Sequence, residues 1–400
     1  MISVCFYFQV HQPFRLRKDY NFFQIGRNHF YDDEETNSAI VRKVAEKCYL
    51  PTNQLMLELI NKHQGKFRIS YSISGVALEQ FEMYGPDVLE SFQKLVDTGC
   101  VELINETYYH SLAFLFSKQE FCAQVEAHKQ KLKALFKGYE PKTFRNTELI
   151  YNNDLARVVE EMGYDVILTE GANQILGWRS PNYLYQPEPC YRTKLLLKNY
   201  KLSDDVAFRF SDRNWSEHPL DVKRYAHWIH QVAGNGEVVN LFMDYETFGE
   251  HQWADTGIFE FMRHLPDAVL EHPEFCFKTP YEVANAHQPM AKIDVPYFIS
   301  WADLERDTTA WLGNDLQDSS AEYVYSLEQA VLDSGDIDLI HRWRKLQTSD
   351  HFYYMCTKWF SDGDVHKYFN PYETPYDAYI TYSNALNDLN EQLKSRGLLE

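Results

Sequence analysis

Two acidic residues, Glu148 and Asp244, each follow a short run of strand-forming residues. Glu148 comes directly after the run Thr143–Thr147, and Asp244 directly after the hydrophobic run Val238–Met243. Carboxyl groups that face each other across a cleft suit glycoside hydrolysis, which needs one ionised and one protonated acid. The alternative for Glu148 is an ordinary acid at a helix N-terminus, where the helix dipole favours negative charge.

The segment that follows Asp244 concentrates further groups able to transfer protons or to stack on a ring. Within ten positions it holds Glu246, His251 and Trp253, with a glycine turn at Gly249. Structural loops seldom collect so many such groups. We therefore predict that Glu246, His251 and Trp253 bind substrate near Asp244.

His11 and Glu102 are candidates with a weaker signal. His11 ends the first strand-like run and precedes Gln12 and Pro13, where proline stops the strand. Its imidazole could donate to a sugar hydroxyl, although a lone histidine is more often a packing residue. Glu102 points inward on the third run if the alternation holds, and a buried carboxylate needs partners, of which His11 is one candidate.

Tryptophans supply the candidate stacking surfaces for apolar sugar faces. Trp301 and Trp311 lie in an aromatic and acidic segment, where Asp303 or Asp307 would accept hydrogen bonds from hydroxyl groups. Trp215 and Trp253 are comparable candidates. The alternative is a helix start with a buried tryptophan, and aromatic side chains more often fill cores.

The order of elements predicts an α/β fold that positions these residues. Seven short strand-like runs alternate with helix-period stretches, a pattern typical of parallel βα units. The runs are Ser3–Val10, Phe67–Ser72, Cys100–Asn105, Thr143–Thr147, Asp165–Thr169, Asp205–Phe210 and Val238–Met243. The helical stretches are Asn53–His63, Val76–Thr98, Lys118–Lys137, Asn152–Met162 and Leu220–Ala233.

Polar residues follow most of these runs, which favours a barrel of seven strands with its chemistry at the C-terminal rim. They are His11, Asn105, Glu106, Glu148, Glu170, Ser211, Asp212, Arg213 and Asp244. An open doubly wound sheet would also place ligands at its strand ends. The absence of a glycine-rich phosphate loop gives that alternative little support.

After about residue 254 the pattern becomes helical, which predicts a C-terminal helical region packed on the barrel and bordering the cleft. We therefore divide the chain into a catalytic barrel, residues 1–255, and a helical region, residues 256–400. The predicted helices are Thr256–His272, Pro280–Ala286, Ala321–Ser334, Asp336–Phe360 and Ala378–Arg396.

Charge and composition narrow the classes of partner. The 400 residues include 39 basic and 58 acidic ones, and the net charge of −19 argues against nucleic acid and anionic membrane surfaces. The N-terminus lacks the features of a signal peptide, and no apolar run is long enough to span a membrane. Seven cysteines without a CxxC pair indicate reduced thiols, and hence a cytoplasmic location.

Five short segments resemble, in order, the five motifs of glycoside hydrolase family 57, and the resemblance spans residues 2 to about 360. The similar segments are His11-Gln-Pro, Gly99-Cys-Val-Glu102-Leu, Phe144-Arg-Asn-Thr-Glu148-Leu, Met243-Asp244-Tyr-Glu-Thr-Phe-Gly and Leu346-Gln-Thr-Ser-Asp350-His351. The third and fourth motifs are fairly specific together, whereas the first two are not. The chain departs from the family pattern at Gln9, where a histidine is frequent, and at His351, where tryptophan is frequent.

The resemblance implies an incomplete (β/α)7 TIM-like barrel followed by a C-terminal helical region. It also implies a retaining enzyme that acts on α-glucans or maltooligosaccharides without a metal or other cofactor. It implies Glu148 as the nucleophile and Asp244 as the general acid/base, with Asp350 and His351 bordering the substrate cleft. The similarity is greatest to the α-amylase and amylase-like group, some of whose members lack catalytic residues. Glucanotransferase or branching activity and non-catalytic glycan binding therefore stay open, as does the oligomeric state.

A metal-dependent carbohydrate deacetylase is the rival class of enzyme. It would need an aspartate pair near the first strand and a His-x-x-x-His zinc motif. The nearest substitutes are Asp32-Asp33, away from any strand end, and His227-Trp-Ile-His230, whose spacing is wrong. Loss of activity after chelation would favour this rival, and retained activity would remove it.

Overall fold

The computed structural model of the protein describes residues 1–358 and 370–400. Within these ranges ten strands are present, and seven of them form the wall of a barrel. The strands are β1 (Ile2–Val10), β2 (Ile69–Ile73), β3 (Val101–Leu103), β4 (Thr143–Arg145), β5 (Val166–Glu170), β6 (Tyr185–Pro187), β7 (Lys194–Lys198), β8 (Val238–Asp244), β9 (Phe275–Phe277) and β10 (Ala291–Ile293).

The barrel wall consists of two parallel sheets joined by a few hydrogen bonds. One sheet has the order β3-β2-β1-β8 and the other includes β7-β5-β4. The backbone N–H of Arg145 donates to the Asn105 carbonyl at 2.9 Å, which joins β3 to β4. The backbone N–H of Asn199 donates to the Asn240 carbonyl at 2.9 Å, which joins β7 to β8. The predicted incomplete seven-stranded barrel is therefore confirmed.

The strand β1 shows why these sequences form a barrel wall. All nine of its residues are buried, and they alternate between two environments. Val4, Phe6 and Phe8 pack outward against the surrounding helices, whereas Cys5 and Tyr7 belong to the barrel interior. Because both faces are covered, the strand is hydrophobic along its whole length, as parallel strands in α/β proteins usually are.

The sixth predicted strand, Asp205–Phe210, is wrong. Its first residues lie in the helix Tyr200–Ala207, and β7 is the sixth strand of the barrel wall. Leu202 and Val206 are spaced for one helix face, and the Asn199 side chain caps the helix by accepting from the Leu202 N–H at 3.2 Å. This cap starts a helix where alternating hydrophobic residues had indicated a strand. The exposed residues 211–213 therefore do not follow a barrel strand.

Helices surround the wall and form the C-terminal part of the chain. A break at Gly85-Pro86 divides the predicted helix Val76–Thr98, since Pro86 begins a new helix at a position that proline favours. The helices are Glu34–Val44, Leu50–Lys62, Gly75–Tyr84, Pro86–Asp97, Ala113–Phe116, Lys118–Leu135, Asn153–Glu161, Asn173–Leu176, Tyr200–Ala207, Val222–His230, Ile258–Leu270, Pro280–Ala286, Asp315–Ser326, Glu328–Asp333, Ile337–Lys345, Ser349–Tyr353 and Pro375–Ser395. A π-helical turn spans Ala45–Tyr49, and 3-10 turns span Phe22–Gln24, Thr147–Leu149, Tyr245–Thr247 and Ala254–Thr256.

No helix of the described ranges is long and apolar enough to cross a membrane.

The C-terminal region is mainly helical, as predicted, but it also adds two short strands. β9 pairs with β1, and β10 pairs with β6. Its helices from Asp315 onward share one hydrophobic core with the outer face of the β4–β7 side of the barrel, whereas the helix Ile258–Leu270 packs in the core around β1. The predicted helix Asp336–Phe360 is two helices, and Phe360 lies outside the described residues. The boundary at residue 255 stays a prediction.

Candidate active site

A cavity of about 440 Å³ opens at the C-terminal ends of the barrel strands. This volume lies within the range of small-ligand sites. Most of the residues singled out in the sequence line it, although they come from distant parts of the chain. They are His11, Glu148, Asp244, Glu246, His251, Trp301, Trp311 and Asp350.

Glu148 projects into this cavity from a tight turn directly after β4. Its backbone adopts φ 58° and ψ 25°, and Leu149 also has a positive φ of 51°. A side chain other than glycine is uncommon in this left-handed region, and such conformations cost about 1–3 kcal/mol each. The Asn146 side chain donates to the Ile150 carbonyl at 3.0 Å and closes the turn. The surrounding structure therefore holds Glu148 in a strained conformation that aims its side chain at the cavity.

Both carboxylate oxygens of Glu148 accept hydrogen bonds. His110 Nε2 lies 3.1 Å from Oε1, and Trp301 Nε1 donates to Oε2 at 2.7 Å. Burial raises the pKa of Glu148, but His110, Arg145 and Trp301 outweigh it and lower the pKa below the usual 4.5. Glu148 is therefore ionised at neutral pH, with 19% of its side chain exposed.

His110 is a buried cation between two carboxylates. Its Nδ1 lies 2.7 Å from Glu106 Oε2, and its Nε2 contacts Glu148. Burial lowers the pKa of His110, but the hydrogen bonds to Glu106 and Glu148 raise it to about 9. Since both ring nitrogens face carboxylates, the protonated ring donates to both. Glu106 is itself fixed by the hydroxyl of Ser72 at 2.7 Å and by the amide of Gln9 at 3.2 Å.

His11 stacks on His110 with the ring centroids 3.9 Å apart. Burial and the charge of His110 lower the pKa of His11, so this ring is neutral. Its Nε2 lies 2.8 Å from Asp350 Oδ2 and its Nδ1 lies 2.7 Å from Ser74 Oγ. A carboxylate only accepts, so the proton of the neutral ring is on Nε2 and Ser74 donates to Nδ1. Both ring nitrogens of His11 are therefore engaged by protein groups.

Asp244 ends β8 and lines the same cavity in a different environment. No side chain or backbone group of residues 1–358 and 370–400 donates a hydrogen bond to it. Burial and the negative charge of Glu148 raise the pKa of Asp244 to about 6, although Arg145, Lys198 and His110 partly offset this rise. Asp244 therefore keeps its proton under mildly acidic conditions in which Glu148 is ionised.

Glu246, two residues further on, is a third carboxyl group at the cavity wall. It accepts hydrogen bonds from the hydroxyl of Tyr49 and from the amide of Gln12. Burial and the charge of Asp244 raise the pKa of Glu246 to about 8. At neutral pH it is a neutral acid, which suits contact with an uncharged hydroxyl group better than nucleophilic attack.

A group of two acids and two bases, Glu170, Lys198, Asp204 and Arg306, forms the wall beside Asp244. Lys198 Nζ donates to Asp204 at 3.0 Å, and Arg306 donates to Glu170 at 3.1 Å. Three of the four, Lys198, Asp204 and Arg306, line the cavity. Their contacts fix the end of β7 and the loop of Arg306. Two acids and two bases together add no net charge to the cavity.

Two further candidates line the cavity: His251 is half-buried, and Trp311 is buried. Burial lowers the pKa of His251 to about 4, so this ring is neutral. Trp311 is only 2% exposed and packs on Tyr353 with the ring centroids 6.2 Å apart. Its ring therefore belongs mainly to the hydrophobic core.

Four of the predicted substrate-binding residues do not line the cavity. Glu102 accepts hydrogen bonds from the Thr143 hydroxyl and from the Tyr281 N–H at 2.9 Å, so it caps the helix Pro280–Ala286 instead of pairing with His11. Trp215 packs on Trp228, and His351 is buried against Tyr382. Trp253 is 55% exposed, with Lys47 over its ring.

The important residues that the sequence reasoning missed are His110, Arg145 and Lys198. Glu106 and Glu170 follow predicted strands, but the sequence pattern does not assign them to the site. A signal for His110 was present, because it follows Glu106 by four residues and precedes the next helix. Lys198 was missed because the sixth strand was misplaced.

Metal ligation is not a feature of the described residues. Residues 1–358 and 370–400 hold no group of three or more His, Cys, Asp or Glu side chains placed to bind a metal ion. His230, from the rival zinc motif, has its Nε2 3.0 Å from the Val269 carbonyl.

Two carboxyl groups with pKa values shifted in opposite directions, at the C-terminal rim of an α/β barrel, suit glycoside hydrolysis. The model of glycosyl hydrolase family 57 matches residues 5–296. The chain is also 46% identical over 404 aligned residues to a protein of Methanocaldococcus jannaschii that carries the provisional name α-amylase, and the match covers 98% of this chain and 85% of that protein. The chain therefore belongs to glycosyl hydrolase family 57.

Solved structures share the fold at low sequence identity. The 4-α-glucanotransferase of Thermococcus litoralis superposes with a TM-score of 0.67 at 16% identity, covering 88% of this chain and 56% of that one. The α-amylase AmyC of Thermotoga maritima gives a TM-score of 0.63 at 13% identity, covering 100% of this chain and 94% of that one. The barrel and its C-terminal region are thus an architecture common to several enzymes.

Proposed function

We propose that the protein cleaves α-glucans by a retaining double displacement, with Glu148 as nucleophile and Asp244 as general acid/base. The observation that supports this most is the contrast between their environments. Glu148 accepts hydrogen bonds from His110 and Trp301 and has a lowered pKa, whereas burial and Glu148 raise the pKa of Asp244 to about 6. A retaining glycosidase needs one ionised and one protonated carboxyl group in the first step.

In the first step a Glu148 oxygen attacks the anomeric carbon. The glycosidic bond breaks, and its electron pair moves to the leaving oxygen, which takes the proton of Asp244. The product is a glycosyl ester on Glu148 and an ionised Asp244. The positive charge of His110 then favours departure of Glu148 as a carboxylate in the second step.

In the second step Asp244 acts as a base. It takes a proton from water, the water oxygen attacks the anomeric carbon, and the ester bond breaks to return Glu148 to its ionised form. Two inversions at one carbon retain the configuration. If a sugar hydroxyl replaces water, the same residues carry out glucan transfer.

An α-glucan substrate is supported by the names of related proteins. The relative from Methanocaldococcus jannaschii carries the provisional name α-amylase. A relative from Pyrococcus furiosus, 22% identical over 64% of this chain and 38% of that protein, is named α-amylase. We place the enzyme in the cytoplasm, where its seven cysteines, all free thiols, would stay reduced.

Incubation with maltooligosaccharides, followed by proton NMR of the first products, tests this proposal. We expect new reducing ends that start in the α configuration and then mutarotate. Initial β products would contradict retention, and binding without any products would identify a non-catalytic glycan-binding protein. Chromatography of the same samples separates the remaining cases, because products longer than the substrate identify transfer.

A further inference from the structure

We infer that Trp301 is a positioning residue for Glu148, and that its ring is not a stacking surface for a sugar. This inference rests on the proposed function, since it assigns Trp301 a role through the nucleophile. Trp301 follows the barrel by more than fifty residues in sequence, yet it contacts Glu148 through both its backbone and its side chain.

The backbone contacts form a brace beside the strained turn. Tyr151 and Ile299 exchange two N–H to carbonyl hydrogen bonds, of 2.9 and 3.0 Å, as a short antiparallel pair. The Trp301 N–H then donates to the Glu148 carbonyl at 3.2 Å. Because Glu148 itself has a positive φ, a neighbouring segment hydrogen-bonded to the turn can hold a conformation that the turn alone disfavours.

The side-chain contact fixes the carboxylate plane. The indole N–H donates to Oε2 at 2.7 Å while His110 donates to Oε1 at 3.1 Å. With a donor on each oxygen, the carboxylate cannot rotate without losing one hydrogen bond to an ionised group, and such bonds are stronger than those between neutral groups. Trp301 and His110 therefore set the orientation from which Glu148 attacks.

Two cations lie over the ring of Trp301. The Arg145 guanidinium carbon lies 5.2 Å from the ring centroid, and Lys198 Nζ lies 5.3 Å from it. Arg306 Nη1 also donates to the Trp301 carbonyl at 2.6 Å. Cations over an indole are attracted to its face, so these contacts hold the ring as part of the barrel wall.

Steady-state kinetics of Trp301→Phe on maltooligosaccharides tests the inference. Phenylalanine keeps a ring for the cations but removes the N–H, so we expect kcat to fall about 10- to 100-fold with little change in KM. The loss of a donor raises the pKa of Glu148, so the acid limb of the kcat/KM profile should move to higher pH. Trp311→Phe is the matched control, because Trp311 lines the cavity without contacting Glu148, and it should leave the acid limb unchanged.

A large rise in KM with an unchanged kcat and acid limb would overturn the inference and identify Trp301 as a sugar platform. Glu148→Gln, measured in parallel, separates this failure from failure of the proposed function. If Glu148→Gln stays active, the nucleophile assignment itself is wrong. If Glu148→Gln is inactive and Trp301→Phe is as active as the unchanged protein, only the role of Trp301 is wrong.

Discussion

The ends of β4 and β8 each present a carboxyl group to the same cavity but surround it differently. At the end of β4, His110 and Trp301 donate to both oxygens of Glu148, and Arg145 adds a nearby positive charge. At the end of β8, Asp244 accepts no hydrogen bond from the described residues and faces the negative charge of Glu148. The donors decide which acid is ionised, because burial alone would raise the pKa of both groups.

The largest effect that tests this contrast is expected from Glu148→Gln. The amide keeps the shape of the side chain but cannot attack the anomeric carbon, so we expect kcat to fall on the order of 10⁴-fold or more. Calorimetry should show that maltooligosaccharide binding is retained. Activity near that of the unchanged protein would assign the nucleophile to another residue.

A smaller and substrate-dependent effect is expected from Asp244→Asn. Loss of the general acid should slow cleavage of maltooligosaccharides about 10²- to 10⁴-fold. Substrates with a good leaving group, such as a nitrophenolate, should react much faster in the first step because they need no proton. The exposed Asp212→Asn is the matched control, and equal losses on both substrate types would contradict the acid role.

A third variant, His110→Asn, would make the two environments more alike. Asparagine tolerates the left-handed backbone of this residue, where φ is 51°, but cannot carry a charge. Because the hydrogen bond from His110 lowers the pKa of Glu148, its loss should move the acid limb of the rate profile to higher pH. We expect a fall in kcat of about 10- to 100-fold. His227→Asn, at an exposed histidine, should change neither quantity.

The smallest effect is a shift in the titration of Asp244. In the unchanged protein kcat/KM should fall as the pH rises through about 6, since Asp244 must be protonated and its pKa is raised. In Glu148→Gln the negative charge is gone, so the pKa of Asp244 should be lower than in the unchanged protein. Carbon NMR of labelled aspartate would measure it directly. An unchanged value would show that Glu148 does not raise the pKa of Asp244.

The pattern of the sequence predicted six of the seven barrel strands, because short apolar runs between amphipathic helices are typical of parallel βα units. The sixth strand was misplaced at residues 205–210, because the cap at Asn199 starts a helix that includes residues 205–207, and the strand itself lies at Lys194–Lys198. The two carboxyl groups were predicted from their positions after strands, and the structure places both at one cavity. Their catalytic roles stay a proposal.

The contacts of the remaining site residues could not be predicted from local pattern. His110 is charged because it lies between Glu106 and Glu148, and nothing near His110 in sequence indicates the second contact. The sequence likewise does not distinguish among the tryptophans that are candidate stacking surfaces. Trp301 donates to Glu148, whereas Trp215 packs against Trp228 and does not line the cavity. Such differences depend on which loops reach the rim, and that is a property of the whole fold.

The brace between Trp301 and Glu148 also has a consequence for biosynthesis. During translation the N-terminal part of the chain emerges from the ribosome first, and N-terminal segments generally fold first. Both acids therefore emerge while the segment Ile299–Trp301 is still unmade, and the turn at Glu148 lacks its two hydrogen bonds to Trp301 at that stage. The Glu148 turn would then reach its final geometry late in translation, after the chain has passed well beyond the barrel.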